Sequence, residues 1–321
     1  GPVLIDVPTD IQMEKIRFSY PETVDIRSYK PNFVGHPGQI KRVVTALANA
    51  KRPLICAGGG VFSSDACDEL LTFSQKANIP VVTTMMGLSC IPADYSLNLG
   101  MIGMHGAPEA NRAMNSADVL LLIGARVGDR AIMSPMGLYR SAKIIHIDID
   151  PAEIGKNIET DIPLVGSAKL ILNELCEKSD KLCAENWSAD LQGKRPFNGD
   201  SWNGVIRPKR VIQSLCQAAD DDAVLVADVG QNQIWSARGF SIPHGRFLTS
   251  GGMGTMGYSI PAAVGAKLAA PNRQVIAVCG DGSFQMQMME LATIRGNDIP
   301  VKIMVMNNGR LGMVRELQDK K

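Results

Sequence analysis

The chain has 321 residues, with 33 lysines and arginines against 32 aspartates and glutamates and a formal net charge of +1. This balance argues against nucleic acid or an anionic membrane as the main partner, and no apolar run reaches the roughly 20 residues that a membrane-spanning helix needs. The 7 cysteines are odd in number, scattered singly and without a CxxC spacing, so a reducing, cytoplasmic setting is expected rather than a disulfide framework or a zinc site.

The length is about twice that of a typical domain, which predicts two domains. The opening run Pro2-Val3-Leu4-Ile5-Asp6-Val7 reads as a strand, and a helix beginning near Leu311 is still running at Lys321. Both ends are therefore expected to continue in a longer protein, with residues 1–30 the tail of a preceding domain and a linker. From about Lys51 short apolar runs alternate with helical segments. Residues 52–57 form a predicted strand ending at Gly58-Gly59-Gly60, and residues 64–77 a helix that gathers Cys67, Leu70, Leu71 and Phe73 near one face. Further strands are predicted at 80–84, 118–125 and 143–150. All are continuous apolar runs, the pattern of strands covered on both faces, and so predict a parallel α/β sheet in a Rossmann-like domain over 31–178.

Residues 179–205 break the rhythm with charged residues, Gly and Pro around the isolated Trp187 and Trp202, and read as a surface linker pinned by those rings. A second α/β unit follows over 206–321. Its predicted helices are 208–219, 258–269 and 283–295, and its strands 223–228, 246–250, 274–279 and 301–306.

Three glycine-bearing turns follow strands of this second unit, and ligands of parallel sheets bind at such strand ends. They are Val229-Gly230-Gln231, the run Gly251 to Gly257, and Gly280-Asp281-Gly282-Ser283. The middle one contains G-x-G-x-x-G, which alone is a weak sign of a dinucleotide site. Gly-Asp-Gly alone is an ordinary turn. Two glycines that let amides face an anion at a helix start, a hard carboxylate oxygen on Asp281, and an amide oxygen on Asn308 after the next strand together suit a diphosphate with magnesium.

Gly280-Asp281-Gly282 followed by Asn307-Asn308 resembles the signature of the thiamine-diphosphate enzymes. That likeness implies Asp281, Asn308 and the Arg310 carbonyl as metal ligands. Ser250 to Pro261 is similar to the acetolactate synthase family in particular. It implies thiamine diphosphate contacts from Val229, Gly230, Gln231, Asn232, Gly254, Thr255, Met256, Gly280, Asp281, Gly282, Ser283 and Asn308. Met256 would prop the cofactor into a bent shape, a task for a soft, flexible side chain. Asn232 stands where many relatives carry His.

The first unit resembles the central domain of the same family, which holds FAD without redox use in the main reaction. The likeness rests on Gly58-Gly59-Gly60, on residues 99–106, 124–130 and 148–151. It implies FAD contacts from Gly58, Gly59, Gly60, Thr84, Met85, Met104, His105, Gly124, Ala125, Arg126, Arg130, Asp148, Ile149 and Gly166. Ser167 replaces an expected Asp, and Leu317 stands where many biosynthetic members carry a Trp that favours the larger acceptor. In isolation His105 reads as a loop histidine and the two arginines as solvated ion pairs.

The resemblance implies a carboligase that joins pyruvate to a second 2-keto acid, pyruvate or 2-ketobutyrate. It further implies a homodimer or tetramer and a small regulatory subunit. The activating Glu of that family lies on a domain not represented here, so no catalytic residue is assigned and this stretch alone is expected to be inactive. Competing readings are another carboligase such as glyoxylate carboligase, a nicotinamide dehydrogenase on Gly252, Gly254 and Gly257, and a nucleotide-binding domain without catalysis.

Overall fold

The computed structural model describes residues 4–23, 25–26, 29–132, 142–178, 187 and 206–319. The chain divides into two compact units, Gly1–Pro31 and Asn32–Lys321. Within the first, the described part of the strand expected at the opening, Leu4 to Val7, is not in a strand. Residues 1–3 lie outside the described set, and Leu4 to Val7 are exposed without strand pairing. A strand needs a neighbour to bond its amides and carbonyls, and this unit offers a single-turn helix, Thr9–Met13, instead.

The larger unit holds two sheets. The first is built from β1 (Pro53–Ala57), β2 (Val81–Thr83), β3 (Asn98–Met101), β4 (Val119–Ile123), β5 (Lys143–Asp148) and β6 (Ile162–Val165), in the order β3-β2-β1-β4-β5-β6. Every pair is parallel. The apolar runs are continuous because each face of the sheet is covered. Ile55, Leu121, Ile123, Ile145 and Ile147 pack with Ile40, Leu70, Phe73 and Ile171 on one side, whereas Leu54, Cys56, Leu120, Leu122 and Ile144 pack with Ala110, Ala113 and Met114 on the other. Helices Pro37–Ala48, Cys67–Ala77, Pro108–Ser116 and Ala168–Glu177 supply those covers. The helix expected over 64–77 starts at Cys67, after a separate turn of helix at Gly60–Ser63, and ends at Asn78 in the left-handed region with φ 52°.

The second sheet comprises β7 (Val224–Ala227), β8 (Arg246–Thr249), β9 (Val275–Gly280) and β10 (Lys302–Met306), ordered β10-β9-β7-β8 and again all parallel. Helices Pro208–Ala218, Gln231–Gly239 and Ser259–Ala269 pack on it. The helix expected over 283–295 begins earlier and is two pieces, Asp281–Gln287 and Glu290–Gly296. Leu291 and Ala292 bond back only three residues, to Met288 and Met289 at 3.1 and 3.0 Å, and this tighter turn interrupts the α-helical ladder.

Of the stretch read as a linker only Trp187 is described. It is buried, and its Nε1 donates to the Pro53 carbonyl at 2.9 Å, so this ring is pinned as expected. Trp202 and Cys183 lie outside the described residues. Among the described residues no helix is long and apolar enough to cross a membrane.

The two sheets meet along a seam. Phe247 N donates to Ser89 Oγ at 2.9 Å, and the Arg246 guanidinium sits 3.0 Å above the centre of the Phe62 ring. Burial lowers the Arg246 pKa to about 10.

Candidate functional site

In each sheet the strand order reverses between two central strands, β1 and β4 in one and β7 and β9 in the other. Loops leaving such strands diverge, and the crevice between them is where open α/β sheets take ligands. Both sets of glycine-rich turns stand at these crevices.

At the β7–β9 crevice the organising group is Asp228, which is 1% exposed. Its Oδ1 accepts from Val229 N at 2.8 Å and Gly257 N at 3.0 Å, and its Oδ2 accepts from Ser259 N at 2.7 Å. The carboxylate therefore ties the turn before the helix Gln231–Gly239, the end of the 251–257 loop and the start of the helix Ser259–Ala269 to the end of β7. Sequence reading took Asp228 only as the end of a strand. The available signal was an acidic residue closing an apolar run just before Val-Gly.

Asn232, also buried, donates from Nδ2 to the Asp228 and Val278 carbonyls at 2.8 and 3.2 Å, bridging the ends of β7 and β9. Its Oδ1 faces Gly230, where a Cβ would come within 2.9 Å and where φ is +134°. Gln233 and Thr249 complete a buried chain of bonds: Gln233 Nε2 donates to Thr249 Oγ1 at 2.7 Å, which donates to the Ala227 carbonyl at 2.8 Å.

Pairing of Gly280 with Met306 brings Asp281 and Asn307-Asn308 out of adjacent parallel strands side by side. Asn308 Oδ1 accepts from Arg310 N at 3.0 Å, and its Nδ2 donates to Gln231 Oε1 at 3.2 Å. Gln231 Nε2 in turn donates to Glu316 Oε1. Ser283, buried, donates to the Val229 carbonyl at 3.4 Å. Met256 and Leu311 flank Gly282, since a Cβ there would lie 3.4 Å from each. Gly254 and Thr255 are on the exposed part of the loop, with Thr255 N held by Ser250 Oγ at 3.1 Å. Val229, Gly230, Gln231, Asn232, Met256, residues 280–283 and Asn308 are thus gathered at one crevice.

Among the described residues no group of three or more His, Cys, Asp or Glu could hold a metal on its own. The donors here are one carboxylate, one amide oxygen and main-chain carbonyls. Such hard oxygens suit an ion that completes its shell with oxygens of a bound ligand.

At the β1–β4 crevice Gly58 and Gly60 have no room for a side chain. A Cβ on Gly58 would run into the Gly124 carbonyl, and one on Gly60 would come within 2.6 Å of Gly124 Cα. Gly124 itself has φ +53°. Here the chain packs backbone on backbone, and Gly58 N and Gly60 N bond to the Ile123 and Gly124 carbonyls at 2.9 and 3.0 Å. Gly59 is the one that faces outward, towards Met86.

Around this crevice, Thr84 caps a short turn through Gly87 N at 3.2 Å, with Met85 beside it packed against the second sheet's core. Met104 N bonds to the Arg130 carbonyl at 3.1 Å, and His105 is half-buried next to it. Arg126 is exposed and makes a loose pair with Glu153 at 3.9 Å, of the solvated kind that carries little stability. Asp148 Oδ1 accepts from Asp150 N at 3.0 Å, its carbonyl accepts from Gly166 N at 3.0 Å, and Ala125 is buried beneath. Met86, Met104 and Ile149, on the loops that leave β2, β3 and β5, are 46%, 59% and 40% exposed. Met86 was not singled out in the sequence. It also lies against Gly251, so it stands between the two crevices.

Two family models match the chain. Residues 40–175 match the central domain of thiamine pyrophosphate enzymes, and residues 228–321 match their C-terminal, thiamine-pyrophosphate-binding domain. The chain belongs to the thiamine pyrophosphate enzyme family. It is 44% identical, over 99% of its length, to a probable acetolactate synthase large subunit of Methanocaldococcus jannaschii, of which it spans 57%. It is 42% identical to the acetolactate synthase large subunit of Corynebacterium glutamicum and 41% to that of Haemophilus influenzae, spanning 52% and 58% of them. The chain thus covers little more than half the length of these relatives. The match to the thiamine-pyrophosphate-binding domain covers the Asp228 crevice, and the match to the central domain covers the β1–β4 crevice.

Proposed function

We propose that this chain is part of an acetolactate synthase, which decarboxylates pyruvate and joins the remaining two carbons to a second 2-keto acid. The observation that carries this reading is the pairing Gly280↔Met306, after which Asp281 and Asn307-Asn308 leave the ends of adjacent parallel strands. Relatives with the printed name acetolactate synthase support it at 41–44% identity.

When bound, thiamine diphosphate supplies the nucleophilic, electron-accepting carbon that makes this chemistry accessible. The chain's own residues bind and orient. Asp281, Asn308 and the Arg310 carbonyl would hold magnesium, which the hard-oxygen donor set fits. Val229, Gly230, Gln231, Gly280, Gly282 and Ser283 would line the diphosphate, with Asn232 shaping the turn rather than donating, because its amide hydrogens are engaged with main-chain carbonyls. Gly254, Thr255 and Met256 would seat the aromatic part, Met256 being already adjacent to Gly282.

The central domain would hold FAD at the β1–β4 crevice. The doubly wound order and the apolar mouth of Met104 and Ile149 support this, with Thr84, Met85, His105, Arg126, Arg130 and Asp148 around it and Gly58, Gly60, Gly124 and Gly166 shaping its floor. The domain limits proposed are 31–178 and 206–321. In the whole enzyme we expect a dimer or tetramer with a small regulatory subunit, as the names of the large-subunit relatives suggest.

Two measurements test the reading. A protein made from the complete reading frame should form acetolactate from pyruvate with thiamine diphosphate and Mg2+, whereas this chain alone should release no carbon dioxide. Mass spectrometry of extracted nucleotides should find FAD. NAD in its place would favour a dehydrogenase, and glyoxylate condensation without acetolactate would favour another carboligase.

A further inference from the structure

We propose that Gln231 and Glu316 are positioning residues that fix which end of the Asn308 amide faces the metal. The inference rests on the metal reading given above. A carboxylate only accepts hydrogen bonds, so the Gln231 carboxamide must turn its Nε2 towards Glu316, and it does. Its Oε1 is thereby directed at Asn308 and accepts from Nδ2 at 3.2 Å. From the other side Arg310 N donates to Asn308 Oδ1 at 3.0 Å. Both contacts demand the same orientation of the Asn308 amide. The oxygen keeps one lone pair for a hard cation, and the NH2 group, which would repel it, is held away.

The helix Gly312–Gln318 is shaped for this contact. Gly312 and Glu316 are four residues apart and share a face. A Cβ on Gly312 would occupy the space of the Gln231 carboxamide. Gln231 begins the helix Gln231–Gly239, which fixes the base of its side chain. Residues from three chain segments thus converge to set one amide.

The test uses the protein made from the complete reading frame and two readouts. In the metal-free protein, 15N-edited NMR follows hydrogen exchange of the Asn308 side-chain NH2. Mn2+ binding in the presence of thiamine diphosphate is then measured by electron paramagnetic resonance. Glu316→Lys makes the terminal residue a donor and should turn the Gln231 amide over, setting its Nε2 against the Asn308 NH2 and leaving the Arg310 amide alone to hold the Asn308 orientation. It should speed Asn308 NH2 exchange and weaken Mn2+ binding roughly 10- to 100-fold. Glu316→Gln, which permits either orientation, should fall between, and Glu316→Asp should recover most of the affinity. The losses should persist at high salt, where a simple charge effect is screened. Wild-type Mn2+ binding with unchanged affinity in Glu316→Lys and Glu316→Gln would overturn the relay and leave the site reading standing. No Mn2+ binding by the wild type would overturn the site reading, and the relay's role at a metal with it.

Discussion

Replacing Asp228 by Asn exchanges one oxygen for an NH2 group in a place where every neighbour is a donor. The carboxylate accepts from the amides of Val229, Gly257 and Ser259 at 2.7–3.0 Å and is almost fully buried. With Asn, at least one of those amides faces another donor. A buried donor left unpaired costs about 1–3 kcal/mol, and a lost charge-assisted bond about 1.5–3 kcal/mol, while release from burying a charge offsets part of this. A net cost of about 2–4 kcal/mol is expected. The loss is local, so it should appear first as faster exchange of the Gly257 and Ser259 amides. About 2 kcal/mol corresponds to roughly 30-fold in protection. Hydrogen–deuterium exchange with urea denaturation of Asp228→Asn measures both. Exchange within about twofold of wild type at Gly257 and Ser259 would refute the view that this carboxylate holds the loop.

Four other outcomes follow from the same structure. His146 is 0% exposed, and burial, opposed by nearby Asp148 and Glu153, pulls its pKa below the ordinary 6.5. The unfolded chain then takes up a proton that the folded chain refuses, so stability should fall as pH drops from 6.5 towards the folded pKa, by up to about 1.4 kcal/mol per pH unit. Denaturation across that window should show a shallower slope for His146→Leu, by the contribution of one proton. Gly58→Ala drives a Cβ into the Gly124 carbonyl and should cost about 3 kcal/mol or more, seen as loss of soluble protein or a lowered melting temperature. Leu121→Ala empties a fully buried position on central β4 and should cost about 2–5 kcal/mol in urea denaturation. Asp281→Ala, at the half-exposed start of the helix Asp281–Gln287, should alter stability by no more than about 1 kcal/mol while abolishing Mg2+-dependent retention of thiamine diphosphate on calorimetric titration.

The amino-acid sequence by itself determined the class of fold. Continuous apolar runs such as residues 119–123, separated by helical patterns, leave a buried parallel sheet as the economical arrangement, and two such sheets are present. The pair Gly-Asp-Gly and Asn-Asn was legible too, since each follows a strand and each carries its chemistry in a few consecutive residues. The break at Met288-Met289 was not legible, because the helical pattern runs through it and only hydrogen-bond geometry marks the change. The failed opening strand has a related cause: apolar alternation states a preference, but a strand exists only where another edge is available to bond with it. Strand order, and with it the location of both crevices, came from the tertiary structure alone. So did the discovery that Gly58 and Gly60 serve Gly124, 64 or more residues away, and that Gln231 meets Glu316 across 85 positions. Propensity and periodicity act over a few residues, whereas these contacts are fixed by which surfaces remain once the sheets have packed. Asp228 shows the division most clearly. The sequence placed a carboxylate at a strand end, and only the folded loop, arriving with its amides from residues 257 and 259, made it the centre of the site.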